Sequence, residues 1–326
     1  MTSQLDAVAR QALAAYGLDG APLVFIRHSD SVAFRVEAPG SDGYLLRLHI
    51  PITPAMGSHG ADGVMVRSEL QWLEALNDDT DLVLQRPIRN RDDELVTTVP
   101  VGAGALHCSL LRWLPGEAYD SERQTEDTAR QIGRILATLH RHASEWRPPP
   151  DWRRPARDAA YFEAVLWALR PAVEDGRIAR DDYVELAKAV AQLVERIREL
   201  PRHPDVYGVM HADAHKGNML LDGGEVRLID FSFCATGNYM FDLGVCLSDM
   251  SPALHGTFVE GYRGVRPLPE GWAELAEGFF LGAMVGTFSF WVPRPEAHEH
   301  LAAMVPRIVQ EYVLKHNRGE PFWPYA

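Results

Sequence analysis

Cysteine is scarce in this sequence. Cys108, Cys234 and Cys246 are scattered, none in a Cys-x-x-Cys spacing, and each lies within or beside an apolar run. That pattern excludes a disulfide framework and a thiolate metal site, and leaves three small buried hydrophobes of a reducing, cytoplasmic compartment. Long apolar runs are missing too. The longest, FFLGAMVGTFSFWV at residues 279–292, is too short to span a bilayer and reads as a buried helix. The opening MTSQLDAVARQALAAYGL has an early acid and no apolar core, so it predicts a first amphipathic helix rather than a signal peptide. No GxGxxG occurs before a helix, which excludes a Rossmann dinucleotide site. Internal repeats and low-complexity tracts are also absent.

Basic residues are outnumbered: 32 Lys and Arg stand against 45 Asp and Glu, a formal charge of −13. Such a surface repels nucleic-acid backbones and anionic membranes, so neither is an expected partner. It would attract cationic small molecules or Mg²⁺-bound nucleotides, or simply keep the chain soluble. At 326 residues the chain exceeds the size at which one core usually stops growing, which predicts two lobes.

After the first helix the pattern changes to alternation. PLVFIRHSDSVAFRVEAP and GYLLRLHI predict three short strands broken at residues 28–31 and 39–43, an antiparallel meander. MVRSELQWLEALND, residues 65–78, places Val66, Leu70, Leu73 and Leu76 at helical spacing. LVLQRPIRNRDDELVTTV, turning at residues 90–93, and LHCSLLRWLPGE restore strand character. The first lobe, residues 1–112, is thus expected to be a five-stranded antiparallel sheet with one helix. Residues 113–326 are expected to be mostly helical: ARQIGRILATLHRHA places Ile132, Ile135, Leu136 and Leu139 at i, i+3, i+4, i+7. WRPPPDWRRPARD reads as a surface connection between helices.

One interruption of the helical half carries chemistry. GVMHADAHKGNMLLDGGEVRLIDFSF, residues 208–233, sets a His, two Asp and an Asn among apolar runs, where polar groups need mutual hydrogen bonds or a ligand. A carboxylate at a loop tip, Asp213, can orient a hydroxyl and accept its proton. An amide five residues on, Asn218, and a carboxylate beyond a hairpin, Asp230, are hard oxygen ligands suited to Mg²⁺. Singly, each of the three could equally cap a turn or end a strand.

His211-x-Asp213-x-x-x-x-Asn218 followed by Ile229-Asp230-Phe231 resembles the catalytic loop and metal-binding segment of the aminoglycoside phosphotransferase superfamily, which includes choline kinase-like enzymes and is related to protein kinases. The resemblance implies an α+β, bilobal protein-kinase-like fold and ATP- and Mg²⁺-dependent transfer of the γ-phosphate to a hydroxyl of a small molecule. It makes Asp213 the catalytic residue and Asn218 and Asp230 the metal ligands. His211 would brace the loop, and Asp242 in MFDLG would hold it from behind. His215 and Lys216 could reach the transferred group or be solvated charges. In GYLLRLHI, Arg47 would grip the nucleotide phosphates, with Glu69 of the helix as its partner; a surface pair is the alternative. Ser29, Asp30 and Ser31 at the first hairpin could cover phosphates. Leu111 and Trp113 in LLRWLPGE would lie at the adenine-binding connection, or Trp113 would be core. The acids Asp249, Glu260, Glu270, Glu274 and Glu277 either line a cationic-substrate cleft or decorate solvated helix faces.

Within the superfamily the motifs are most similar to type II homoserine kinases and the stress response kinase A group. The acceptors implied are a homoserine-like amino alcohol, an antibiotic hydroxyl, or a protein Ser or Thr in the manner of stress response kinase A. A non-catalytic nucleotide-binding pseudokinase is the alternative of another class. The sequence leaves oligomeric state open.

Overall fold

The computed structural model describes residues 2–28, 31–50, 62–102 and 104–323. The chain forms two compact units. The first is Met1–Ala118 with Trp146–Pro155 and Met219–Cys234; the second is Tyr119–Glu145, Ala156–Asn218 and Ala235–Ala326.

In the first unit, helix Thr2–Ala14 is followed by β1 (Leu23–His28), β2 (Val32–Val36) and β3 (Tyr44–Leu48), then helix Gly63–Asp79, β4 (Pro87–Ile88), β5 (Thr97–Val101) and β6 (Gly104–Arg112). The strands make one antiparallel sheet in the order β1-β2-β3-β6-β4, with β5 also on β6. Alternation sets its faces. Val32, Phe34, Val36, Leu46, Leu48 and Leu110 turn to one side and pack with Val8, Ala12 and Leu13 of the first helix.

The sheet has six strands among the described residues, against the five expected. The turn at residues 90–93 is present, with Asn90 Oδ1 accepting from the backbone of Asp92 and Glu94 at 3.0 Å each. The strands it joins do not face each other. β4 pairs with Leu110 and Leu111, and β5 with residues 104–108, along the same edge of the nine-residue β6.

Residues 146–158 are not merely a surface connection. Arg154 is buried; its Nε donates to Cys234 O at 2.7 Å and its Nη1 to Met65 O at 3.0 Å, and Nη2 also donates to Ser232 O. Trp152 Nε1 donates to Ser68 O at 2.8 Å, and Arg153 N to Ser68 Oγ at 2.9 Å. Five donors thus tie this stretch to helix Gly63–Asp79 and to the turn after Asp230.

β9 (Met219–Asp222) and β10 (Glu225–Leu228) form a hairpin that also pairs with β7 (Glu117–Ala118). Its two-residue turn needs positive φ at both positions, which Gly223 (59°) and Gly224 (90°) supply. Leu228 stands opposite Met219, so the hairpin returns beside its own start.

In the second unit, β8 (Tyr207–Met210) pairs antiparallel with β11 (Ala235–Asn238). Helix Glu126–Glu145 packs on helix His255–Arg263 at glycines: a Cβ on Gly133 would lie 2.1 Å from Phe258 O, and one on Gly261 2.2 Å from Arg130 O. The apolar run at residues 279–292 is largely contained in helix Trp272–Trp291, with Phe279, Leu281 and Phe288 buried. No helix among the described residues is long and apolar enough to cross a membrane.

The three cysteines are free and buried, and burial pushes the Cys108 and Cys234 thiols up to about 12. Burial acts in the opposite sense on His49, His140, His255 and His316, holding each imidazole below its usual 6.5. These histidines bind protons more readily in the unfolded chain. Stability is therefore expected to fall as pH drops from about 6.5 toward their folded-state values. Thermal melts at pH 7.5 and 5.5 check this; an unchanged midpoint would contradict it.

Candidate active site

The loop after β8 is built on one buried carboxylate. Asp242 has no exposed surface; its Oδ1 accepts from Ala212 N at 2.7 Å and its Oδ2 from His211 N at 2.9 Å and from His140 Nε2 at 3.1 Å. Ala212 is held at φ +61°, a left-handed position that an alanine adopts only under such constraint. His140, kept neutral by burial, accepts from the Tyr262 hydroxyl through Nδ1 at 2.9 Å and stacks on the Tyr239 ring. A chain of hydrogen bonds thus runs from Tyr262 through His140 and Asp242 into the loop backbone.

The bend presents Asp213. His211, fully buried, accepts from Asp213 N through Nδ1 at 3.2 Å. Asn218 Nδ2 donates to Asp213 O at 2.9 Å and to Asp213 Oδ2 at 2.7 Å, so its Oδ1 is left for another partner. His215 folds back over Gly217, accepting from Gly217 N at 3.0 Å, with its Nε2 3.5 Å from Asp213 Oδ2. A Cβ at 217 would lie 2.7 Å from the His215 ring and would push that ring aside.

Lys216 is engaged elsewhere in the same unit. Its ammonium donates to Ser121 Oγ at 3.1 Å and lies 3.7 Å from Asp249 Oδ1, while its backbone N–H donates to Asp249 Oδ2 at 3.3 Å. Asp249 therefore supports the loop, where the sequence offered only a cleft lining or a solvated face. Glu277 also departs from both readings: it is buried and accepts from the backbone of Phe322 and Trp323 at 3.0 and 2.9 Å.

In the first unit Asp230 follows β10 at φ +65°, a second left-handed non-glycine. Its Oδ1 accepts from Ser232 Oγ at 2.7 Å and its Oδ2 from Arg27 Nη2 at 2.8 Å. The Phe231 ring after it packs edge-on to Trp72 of helix Gly63–Asp79 at 5.6 Å. Arg47 and Glu69 form an ion pair at 2.7 Å with side chains 6% and 3% exposed, a buried pair rather than the surface pair the residues also allowed. Replacing Glu69 with Ala removes the carboxylate that balances this buried charge and is expected to cost about 3 kcal/mol. A urea melt checks it, and a loss under about 1 kcal/mol, the scale of an exposed pair, would contradict it.

Ser31 is buried at the start of β2; Ser29 and Asp30 lie outside the described residues. Leu111 is buried on β6, opposite Leu45. Trp113 is half-buried, with the Arg35 guanidinium 4.6 Å above its ring. Sequence reasoning missed Arg27 and Arg154. Nothing local distinguishes either one; the tertiary fold brings them to Asp230 and its turn.

A family profile described as the phosphotransferase enzyme family matches residues 28–277. The chain belongs to that family. Homoserine kinase of Neisseria meningitidis serogroup B (strain MC58) is 30% identical to this phosphotransferase over 244 residues, covering 71% of this chain and 73% of that protein. Among solved structures, the microcompartment-associated aminopropanol kinase superposes with a TM-score of 0.78 at 22% identity, covering 97% of this chain and 98% of that one. An amicoumacin kinase in complex with AMP-PNP, Ca²⁺ and its antibiotic superposes at 0.73 with 17% identity, over 93% and 90%. The fold is the α+β kinase-like one, and this phosphotransferase is a small-molecule kinase.

Proposed function

We propose that this phosphotransferase uses ATP and Mg²⁺ to phosphorylate the hydroxyl of a small amino alcohol of the homoserine type, in the cytoplasm. The observation that carries the catalytic part is the loop geometry. Asp213 sits on a strained bend fixed by Asp242, partly exposed, with one carboxylate oxygen held by Asn218 at 2.7 Å. The acceptor class rests on the homoserine kinase and aminopropanol kinase likenesses.

The residues fit a hard divalent cation. Asn218 keeps its amide oxygen unused within the loop, and Asp230 has its negative charge already matched to a cationic group, Arg27. Among the described residues no group of three or more His, Cys, Asp or Glu is placed to hold a metal. Mg²⁺ typically takes one or two protein ligands and is completed by water and substrate phosphates. When bound, the cation supplies neutralisation of charge on the phosphate oxygens.

The chain's own residues do the rest. Asp213 orients the acceptor hydroxyl in line with the γ-phosphorus and receives its proton as the new P–O bond forms and ADP leaves. Arg47, fixed by Glu69, holds phosphate oxygens, and the adenine lies at the backbone near Leu110 to Trp113, where the N–H groups of Arg112 and Trp113 already donate to Arg86 O and Gly43 O. His211 and Asp242 keep the bend in place.

Purified protein incubated with γ-labelled ATP and Mg²⁺ tests this against homoserine, 1-amino-2-propanol, amicoumacin, aminoglycosides and bulk protein. Label on a small amino alcohol with matching ADP release is the expected result. Transfer only to protein, or to no acceptor, would overturn it.

A further inference from the structure

The pairing of Arg27 with Asp230 depends on an irregularity in the first strand. Phe25 stands opposite Phe34 on β2, but Arg27 stands opposite Ala33, so Ile26 is an extra residue, a β-bulge. In regular register Arg27 would face Val32 and turn to the core side. The bulge instead places Arg27 in one row with Ala33 and, across β3, Arg47. Residues directly opposite one another share a face, so two arginines flank an alanine on the side of the sheet away from the core. Their strands lie two spacings apart, roughly 10 Å, a gap that a phosphate chain can bridge. One arginine is locked: Arg47 is buried and ion-paired with Glu69. The other is free to turn, with its side chain 54% exposed and one hydrogen bond, 2.8 Å, to Asp230.

We infer that Arg27 is a second phosphate-binding arginine that serves in two positions, a reading that rests on the nucleotide and metal roles proposed above. Before nucleotide arrives its guanidinium neutralises Asp230. When Mg²⁺ enters with the nucleotide, Asp230 exchanges the guanidinium for the metal, and Arg27 swings onto the β- or γ-phosphate oxygens beside Ala33, opposite Arg47. The exchange conserves charge at Asp230. An exposed ion pair is weak enough to yield to a divalent ion. Asp230 thus never stands as an uncompensated anion among phosphates, and nucleotide and metal are coupled in binding.

Isothermal titration of the whole protein with Mg²⁺–AMP-PNP and with AMP tests the inference, comparing wild type, Arg27→Gln and Arg27→Lys. The Gln variant is expected to bind Mg²⁺–AMP-PNP about tenfold more weakly, the loss of one charge-assisted hydrogen bond, and AMP as well as wild type does. The Lys variant should recover part of the loss. Equal affinity of wild type and Gln variant for Mg²⁺–AMP-PNP would overturn the inference while leaving the kinase reading intact. Equal weakening for AMP and AMP-PNP would do the same, because the role would then not concern the phosphate chain. Failure of wild type to bind either nucleotide would overturn both readings. Because Arg27 is exposed, the metal-free variants should melt within about 2 °C of wild type; a larger drop would mark a structural role and count against the exchange.

Discussion

Replacing Asp213 with Ala should lower kcat by about 10²–10⁴-fold while nucleotide affinity changes little. The magnitude follows from what the carboxylate does and what remains without it. In the proposed role it takes the proton of the attacking hydroxyl and fixes its direction, whereas Asp230 and the Arg47–Glu69 pair, proposed to serve the cation and the phosphates, are untouched. Asp213 is partly exposed, so the variant should remain folded. Asp213→Asn separates the two roles, since it keeps the shape and removes the basic oxygen; it should be nearly as inactive as the Ala variant. Initial rates with a 1-amino-2-propanol or homoserine acceptor, together with AMP-PNP titration, read both quantities. Turnover within about threefold of wild type, far short of the loss expected of a missing general base, would remove Asp213 from the chemistry.

Removal of the buried carboxylate behind the loop should act on both stability and turnover. Asp242→Ala strands the N–H groups of His211 and Ala212 and Nε2–H of His140, all without solvent to replace the lost acceptor. At roughly 1–3 kcal/mol for each unsatisfied buried donor, the sum is about 5 kcal/mol, comparable to the whole stability of many domains. The protein is then expected to express poorly or melt many degrees lower. Asp242→Asn retains one acceptor oxygen and should lose less stability, yet it presents an N–H to a donor where the bend needs an acceptor. Ala212 would no longer be held at positive φ, Asp213 would lose its aim, and kcat should fall more than stability does. Denaturant melts and kcat for the two variants test this, and an Asn variant with wild-type kcat would show that the bend holds without Asp242.

The chemistry was more legible in the sequence than its supports were. Alternation in VAFRV and YLLRL announces half-buried strands, and the 3.6-residue period of helix Gly63–Asp79 marks Val66, Leu70, Leu73 and Leu76 as buried, but not that Glu69 is buried as well. The order of His211, Asp213, Asn218 and Asp230 is legible for a different reason: it matches the family's motif, whose proposed phosphoryl-transfer roles call for such groups at fixed offsets. What stayed hidden is non-local. Nothing in WRPPPDWRRPARD says that Arg154 will be buried under three carbonyls drawn from residues 65, 232 and 234. Nothing in LVFIRH marks Ile26 as the bulge that turns Arg27 over, since a bulge is a property of a strand pair. Asp249 and Glu277 read as surface acids because charge in a sequence carries no record of burial; their partners are backbone N–H groups from 33 and 45 or more residues away.

Asp213, Asn218 and Asp230 are proposed to serve one cation and one hydroxyl at the terminal phosphate of a nucleotide. A crystal structure of the wild-type protein grown with AMP-PNP and Mn²⁺, with anomalous data collected at the manganese edge, tests it most directly. An anomalous peak bonded to Asn218 Oδ1, to the Asp230 carboxylate and to phosphate oxygens is expected, with an Asp213 oxygen facing the γ-phosphorus. A peak bound to other side chains, or a nucleotide whose γ-phosphate lies away from Asp213, would contradict it.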